Sequence, residues 1–180
     1  WLMCASIDGT GDIVEFIRKG IVWDEWLANF KKGLAAPGGK DKMLFDLTIT
    51  GPGMFSIKDL FDLSLELDVR IETKIMFAFH PDIIFSPFAW PKHILARKID
   101  ELLEYIEPRA TDKQFTLVNT LKEMRNRPSF EEDYPEQFVQ GKKNGKGFQD
   151  RLDSIRDEKI TIADIYKADD ELYEWWMNDE

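Results

Sequence analysis

The stretch Leu2-Met3-Cys4-Ala5-Ser6-Ile7-Asp8-Gly9-Thr10-Gly11 decides the fold, because an apolar run ends abruptly in a polar, glycine-containing turn. Leu2 to Ile7 lacks alternation, the pattern of a strand covered on both faces of an α/β sheet. The carboxyl end of such a strand is where open α/β sheets bind ligands. Ser6, Asp8 and the nearby Arg18 are therefore the first residues to which chemistry can be attached.

Moving outward, Ile13, Val14, Phe16 and Ile17 mark a helix over Asp12 to Arg18, and Trp26, Leu27, Phe30 and Leu34 continue helical spacing over Trp23 to Leu34. The cluster Ala36 to Lys40 is a loop. A second strand is expected at Met43 to Thr50, closed by Gly51-Pro52-Gly53. Ser56, with Asp59 three residues on, reads as the cap of a helix reaching Leu67. A third strand follows at Val69 to Phe79. This alternation implies parallel pairing with right-handed crossovers.

From His80 onward Pro81, Pro87 and Pro91 punctuate an apolar loop, and the rest reads as helical. Pro91 opens a helix through Ile106. Thr111 or Asp112 caps another, with Phe115, Val118, Leu121 and Met124 along it. Ser129 to Gly147 reads as a polar separating stretch, and its Lys142-Lys143-Asn144-Gly145-Lys146 as a solvated loop. Phe148 to Asp157 is a further apolar-faced segment, and Thr161 with Asp164 caps one closing helix. The fold expected is α/β: a partial (β/α) barrel of about three parallel strands with crossover helices over residues 1–90, then a mostly helical tail over 91–180.

Composition limits the function. The 180 residues, 43% hydrophobic, include thirteen Phe and six Trp, enough for a sizeable core. A net charge of -10 argues against general nucleic-acid or anionic-membrane binding. Cys4 is the only cysteine, so neither an intrachain disulfide nor a Cys-x-x-Cys metal site is available, and no metal ligands are assigned. No stretch of about twenty apolar residues exists. A reducing cytoplasm is the expected setting. The first residue, Trp1, leads straight into a strand, and a chain cut from a longer protein is expected.

Ser6-x-Asp8-Gly9-Thr10 is similar to the Asp-x-Asp-Gly-Thr pattern of haloacid dehalogenase phosphatases, but Ser6 stands where their nucleophilic Asp does. A serine without a neighbouring base does not replace that carboxylate. A second resemblance extends further. Ala5-Ser6-Ile7-Asp8-Gly9-Thr10-Gly11, then Phe16-Ile17-Arg18-Lys19-Gly20, then Trp23 and Asn29, resembles the middle of radical S-adenosylmethionine (radical SAM) enzymes, near their twitch- and SPASM-domain, peptide-modifying branches. Thr48-Ile49-Thr50, Pro91 to Leu95, and Phe148 to Arg156 resemble their late barrel and tail.

The resemblance implies that Ser6 and Arg18 contact S-adenosylmethionine at its ribose or methionine end, with Asp8 and Thr50 in the same cleft. It also implies a peptide or small-molecule substrate, and in the intact parent an iron-sulfur cluster on Cys-x-x-x-Cys-x-x-Cys, a motif this chain lacks. No catalytic residue is assigned. A noncatalytic α/β binding module is the alternative. Residue by residue, plainer readings also stand: a tight turn at Asp8-Gly9, a solvated helix-end charge at Arg18, surface histidines at His80 and His93, a loop rather than a phosphate cradle at Gly51 to Gly53, surface ion pairs for Asp150, Asp153 and Arg156, and packing of the last helix by Trp175 and Trp176.

Overall fold

Three short segments lie side by side in sequential order, β1 (Met3–Ile7), β2 (Met43–Ile49) and β3 (Arg70–Ile75), all parallel. The computed structural model describes residues 2–77, 82–155 and 160–178. The register aligns Ser6 with Asp46 and Asp46 with Glu72, and likewise Ile7 with Leu47 and Leu47 with Thr73. Side chains alternate faces along a strand. One face therefore carries Ile7, Phe45, Leu47, Ile49 and Ile71, all buried, and the other carries Cys4, Ser6, the buried Leu44, Asp46, Thr48, Arg70, Glu72 and Lys74.

The buried face is covered by the connections. Between β1 and β2 run α1 (Gly11–Ile17), α2 (Trp23–Ala35) and the single turn α3 (Gly39–Lys42). On α2, Trp23, Trp26 and Phe30 stack in succession, and the Phe30 ring centroid lies 4.7 Å from that of Phe45 on β2. A 3-10 turn at Pro52–Ser56 and α4 (Ile57–Leu67) join β2 to β3, with Ile57, Leu60 and Phe61 buried. Filling a core with such rings and branched chains is the main favourable term in folding.

Downstream, α5 (Lys92–Ile106) and α6 (Phe115–Asn126) pack on each other, and α6 also packs on β3. There Thr73 Oγ1 lies 2.6 Å from Thr120 Oγ1. The chain then forms α7 (Phe130–Asp133), α8 (Pro135–Ile155), α9 (Ile162–Tyr166) and α10 (Asp170–Met177). One continuous apolar core runs from Ile7 to Trp176. Among the described residues, no helix is long and apolar enough to cross a membrane.

Several expectations need correction. β1 is not covered on both faces: it is an edge strand, and Leu2, Met3 and Cys4 are exposed because no described element lies over its first half. The third strand is shorter than Val69 to Phe79, although the Met76 N–H still donates to the Ile49 carbonyl at 2.9 Å. His80 and Arg156 lie outside the described residues. Phe115 is 64% exposed, and Leu117 takes the inward position instead. The single closing helix is two, α9 and α10, the second capped by the Asp169 carboxylate on the Leu172 N–H.

The largest correction concerns residues 129–147. Apart from Ser129 and Tyr134 they are helical, and Lys142 to Lys146 lie within the 21 residues of α8 rather than in a loop. Glycine is a poor helix former, but Gly141 and Gly145, four residues apart, lie with Phe138 and Gln149 on the buried side of this helix. Lys142 Nζ donates to the Trp175 and Asn178 carbonyls at 3.3 and 3.2 Å, and Lys146 Nζ to the Trp176 carbonyl at 2.7 Å. These cations sit at the carbonyl end of α10, where the helix dipole favours positive charge. On the same helix Phe148 and Ile155 are exposed rather than packed.

Thr161 and Asp164 form the expected capping box: Thr161 Oγ1 accepts from the Asp164 N–H, and Asp164 accepts from the Thr161 N–H at 3.1 Å. Thr161→Ala is expected to cost about 1 kcal/mol in chemical denaturation. The Lys167 ammonium, followed by the Thr161 hydroxyl and N–H, holds the Asp164 carboxyl down to about 2 from its ordinary 3.8. Because the folded pKa is the lower one, the contribution is present above about pH 4 and is lost as pH falls toward 2. Amide exchange in α9 should accelerate over that window in the wild type and show a weaker acid dependence in Asp164→Asn.

Candidate functional site

β1 delivers Ser6 and Asp8 to the carboxyl end of the sheet, and the seven-residue α1 returns the chain so that Arg18, at its C-cap, comes back over them. The Arg18 guanidinium grips Asp8 with two nitrogens: Nε donates to Oδ2, and Nη2 to Oδ1 at 3.3 Å. The same Nη2 donates to Ser6 Oγ at 2.9 Å. Asp8 is 5% exposed. A carboxylate removed from water needs a cation and directional hydrogen bonds, and a forked guanidinium supplies both.

Ser6, Asp8 and Arg18 thus form one cluster, and Arg18 is more than a solvated helix-end charge. Its available chemistry differs from a simple anion grip, since Asp8 already occupies the Nε and Nη2 edge. Among the described residues, the two N–H groups of Nη1 have no partner, and Ser6, which accepts from Arg18, keeps its hydroxyl proton to donate. The corner therefore presents three donors to a ligand rich in acceptors. No base contacts Ser6 among the described residues, so nothing there activates it as a nucleophile.

Thr50 does not join the cluster. Its Oγ1 accepts from the Gly53 N–H at 3.0 Å, and its side chain is buried in its own turn. The Gly51 N–H is also used, donating to the Phe85 carbonyl at 2.7 Å. With those two amides committed inside the protein, Gly51-Pro52-Gly53 is a structural turn rather than a phosphate cradle.

Ser56 also departs from its expected role. It makes no capping bond to α4; its Oγ accepts from the Thr10 N–H at 3.2 Å and donates to the Gly53 carbonyl at 3.1 Å. This buried hydroxyl ties the turn after β1 to the turn after β2. The two turns touch so closely that a Cβ at Gly53 would collide with the Asp8 carbonyl oxygen, and one at Gly9 would stand 2.5 Å from Ser56 Oγ. Behind them, Gly51 faces Trp90 Nε1 and the Tyr166 hydroxyl, each 3.0 Å from the position a Cβ would take. Trp90 Nε1 donates to that hydroxyl at 3.0 Å, and burial pushes the Tyr166 phenol above its ordinary pKa, which keeps it neutral.

Asp46 and Lys74, which the sequence reading passed over, share the open face with Ser6. Lys74 Nζ donates to Asp46 Oδ2 at 2.6 Å. Glu72 beside them accepts from Thr116 Oγ1 at 3.2 Å. Their signal was present in the sequence: polar residues at alternate positions, Asp46 and Thr48 on β2 and Arg70, Glu72 and Lys74 on β3. The remaining expectations sort simply. His93 is a surface residue bonded to Glu171 at 2.8 Å, Trp176 packs edge-on against Tyr166, and Asp153 accepts from Gln149 Nε2 at 2.6 Å. No group of three or more metal-ligating side chains occurs among the described residues.

No family model matches the chain, and no curated protein or solved structure proved similar to it.

Removing Arg18 leaves Asp8 buried without its cation, so Arg18→Ala should destabilise by about 2 kcal/mol; this is less than the roughly 3–5 kcal/mol of a fully buried pair because Arg18 is partly solvated. Arg18→Lys, which keeps the charge but loses the fork, should recover only part of it. Gly53→Ala forces apart two backbones that have no flexible end to yield, and a loss of about 1–3 kcal/mol is expected in urea denaturation.

Proposed function

We propose that this chain is the C-terminal part of a radical SAM enzyme, with residues 1–90 forming half of an open (β/α) barrel and Ser6, Asp8 and Arg18 one wall of its S-adenosylmethionine cleft. The observation that supports this best is the one-sided sheet. Parallel sheets are ordinarily covered on both faces, whereas here one face is packed by helices and the other, apart from the buried Leu44, carries the polar Ser6, Asp46, Thr48, Glu72 and Lys74. Sequential strand order with the apolar face always on the helix side is the winding of a barrel, whose other face becomes the interior. The donor cluster lies where ligands bind, at the carboxyl ends of the strands.

The residues present fit the cofactor. Arg18 Nη1 and the Ser6 hydroxyl offer donors to the carboxylate or ribose oxygens of S-adenosylmethionine, and Asp8 holds the guanidinium in place. Thr50 contributes by shaping its turn rather than by contact. In the intact enzyme, S-adenosylmethionine held by Ser6 and Arg18 would be the source of radical chemistry on a peptide or small-molecule substrate, the electron coming from the parent's iron-sulfur cluster. An iron-sulfur cluster does not fit this chain, whose single thiol is Cys4 on the edge strand, so its ligands would be other residues of the parent.

Calorimetry on the folded chain tests the reading. S-adenosylmethionine should bind with one-to-one stoichiometry, and loss of the charged donors in Arg18→Ala should weaken it roughly 10- to 100-fold. Ser6→Ala, a smaller change, should weaken it less while leaving stability near wild type. A folded chain that binds no S-adenosylmethionine overturns the proposal and favours the noncatalytic binding module. So does a coding sequence upstream of Trp1 without Cys-x-x-x-Cys-x-x-Cys.

A further inference from the structure

The basic run of α8 takes no part in the sheet or the donor cluster. Lys142, Lys143 and Lys146 line a cavity of about 620 Å³ that α8 forms with α7 and α10. Small-molecule sites run from roughly 300 to 1,000 Å³, and a simple ion needs far less. No residue lining this space belongs to the three strands, so it is separate from the carboxyl end of the sheet.

Phe138, Val139 and Trp175 supply its apolar lining, and Val139 is 66% exposed. Val139, Lys143, Gly147 and Asp150 follow one another at steps of three and four residues, so they form one stripe along α8. At Gly147 nothing stands within 4 Å of the position a Cβ would take. The Lys142 ammonium is fixed over the Trp175 ring, 4.5 Å from its centroid, and that of Lys146 is fixed on the Trp176 carbonyl. Lys143 has no hydrogen-bond or ion-pair partner among the described residues.

Glu131 and Asp150 also line the cavity. Three ammoniums against two carboxylates leave one positive charge, in a chain whose net charge is -10. A cation would meet the lysines, a dianion would meet the two carboxylates, and a neutral body would make no use of Lys143. The complement is a single negative charge on a large apolar frame. We infer that this cavity binds an amphiphilic organic acid, its apolar body against Phe138, Val139 and Trp175 and its carboxylate on the Lys143 ammonium. A charge-assisted hydrogen bond fixes the acid end, and burial against the two aromatic rings holds the body. Built on the tail helices, the site is independent of the S-adenosylmethionine reading and stands whether or not that cofactor binds.

The test is a two-dimensional amide NMR titration of the 180-residue chain with 2-naphthoate, neutral 2-naphthalenemethanol and acetate in turn. Naphthoate should give saturable shifts at Val139, Lys143, Gly147 and Trp175. It should bind roughly three- to fivefold more tightly than the alcohol, the margin a solvated ion pair supplies. Acetate, which has no apolar body, should saturate nothing there over the same range. Lys143→Gln should erase the preference for the acid and leave binding of the alcohol unchanged. Gly147→Leu fills the open space, and because leucine is the better helix former the variant should fold at least as well as the wild type. It should nonetheless bind naphthoate roughly tenfold more weakly. The inference is overturned if the alcohol binds as tightly as the acid, if acetate moves the same residues at the same concentration, if the shifts fall elsewhere, or if folded Gly147→Leu binds naphthoate as the wild type does.

Discussion

Everything at the carboxyl end of the sheet depends on the contact between the turn after β1 and the turn after β2. Two glycines make it possible, since neither Gly9 nor Gly53 has room for a Cβ, and the buried Ser56 hydroxyl bonds one turn to the other. A hydroxyl can accept and donate at once, and here it satisfies a backbone N–H and a backbone carbonyl that the close approach would otherwise strand. The Pro52–Ser56 turn in question packs against α1 on one side and α9 on the other. The position of Asp8, and through it Arg18, is set by backbone packing rather than by the ion pair itself.

That ordering explains how a charged cluster persists beside an apolar core. Desolvating Asp8 is unfavourable, and the attraction of Arg18 offsets it only when the fork geometry is held. The helix-side face supplies the holding force through Ile7, Leu47, Ile49 and the aromatic stack of α2. The opposite face, beyond the buried Leu44, is held by polar contacts instead, Arg18 to Ser6, Lys74 to Asp46 and Thr116 to Glu72. Division of labour between two faces of one sheet is what a binding scaffold requires: rigid on one side, chemically open on the other.

Sequence patterns carried the parts of this arrangement that are local. The carboxyl ends of the first two strands, the spacing from Asp8 to Arg18 across one short helix, and the Thr161 capping box all follow from residues close together in the chain. What escaped was set by distant partners. Ser56 stands where a helix cap belongs, yet its hydroxyl is claimed by Thr10, 46 residues earlier. Thr50 is the exception, claimed locally: it has the right place for a cleft residue but accepts from the Gly53 N–H three residues on. Residues 135–155 carry glycines that oppose a helix, and packing of the face with Phe138, Gly141, Gly145 and Gln149 overrides that preference.

The tail is tied to the site by the same kind of long-range claim. Tyr166 on α9 buries its ring against Trp90 and Trp176 and sets its hydroxyl against the bare Cα of Gly51, so the turn after β2 is backed by a residue more than 100 positions later in the chain. Lysines of α8 in turn satisfy the carbonyl end of α10 and thereby fix the helix that carries Trp176. Each link closes polar groups that would be costly to leave unpaired in a protein interior. Helices that look like an appendage in the sequence are therefore the rear support of the strand ends, and a change at Tyr166 reaches Asp8 through two turns of backbone without touching any group that would meet a ligand.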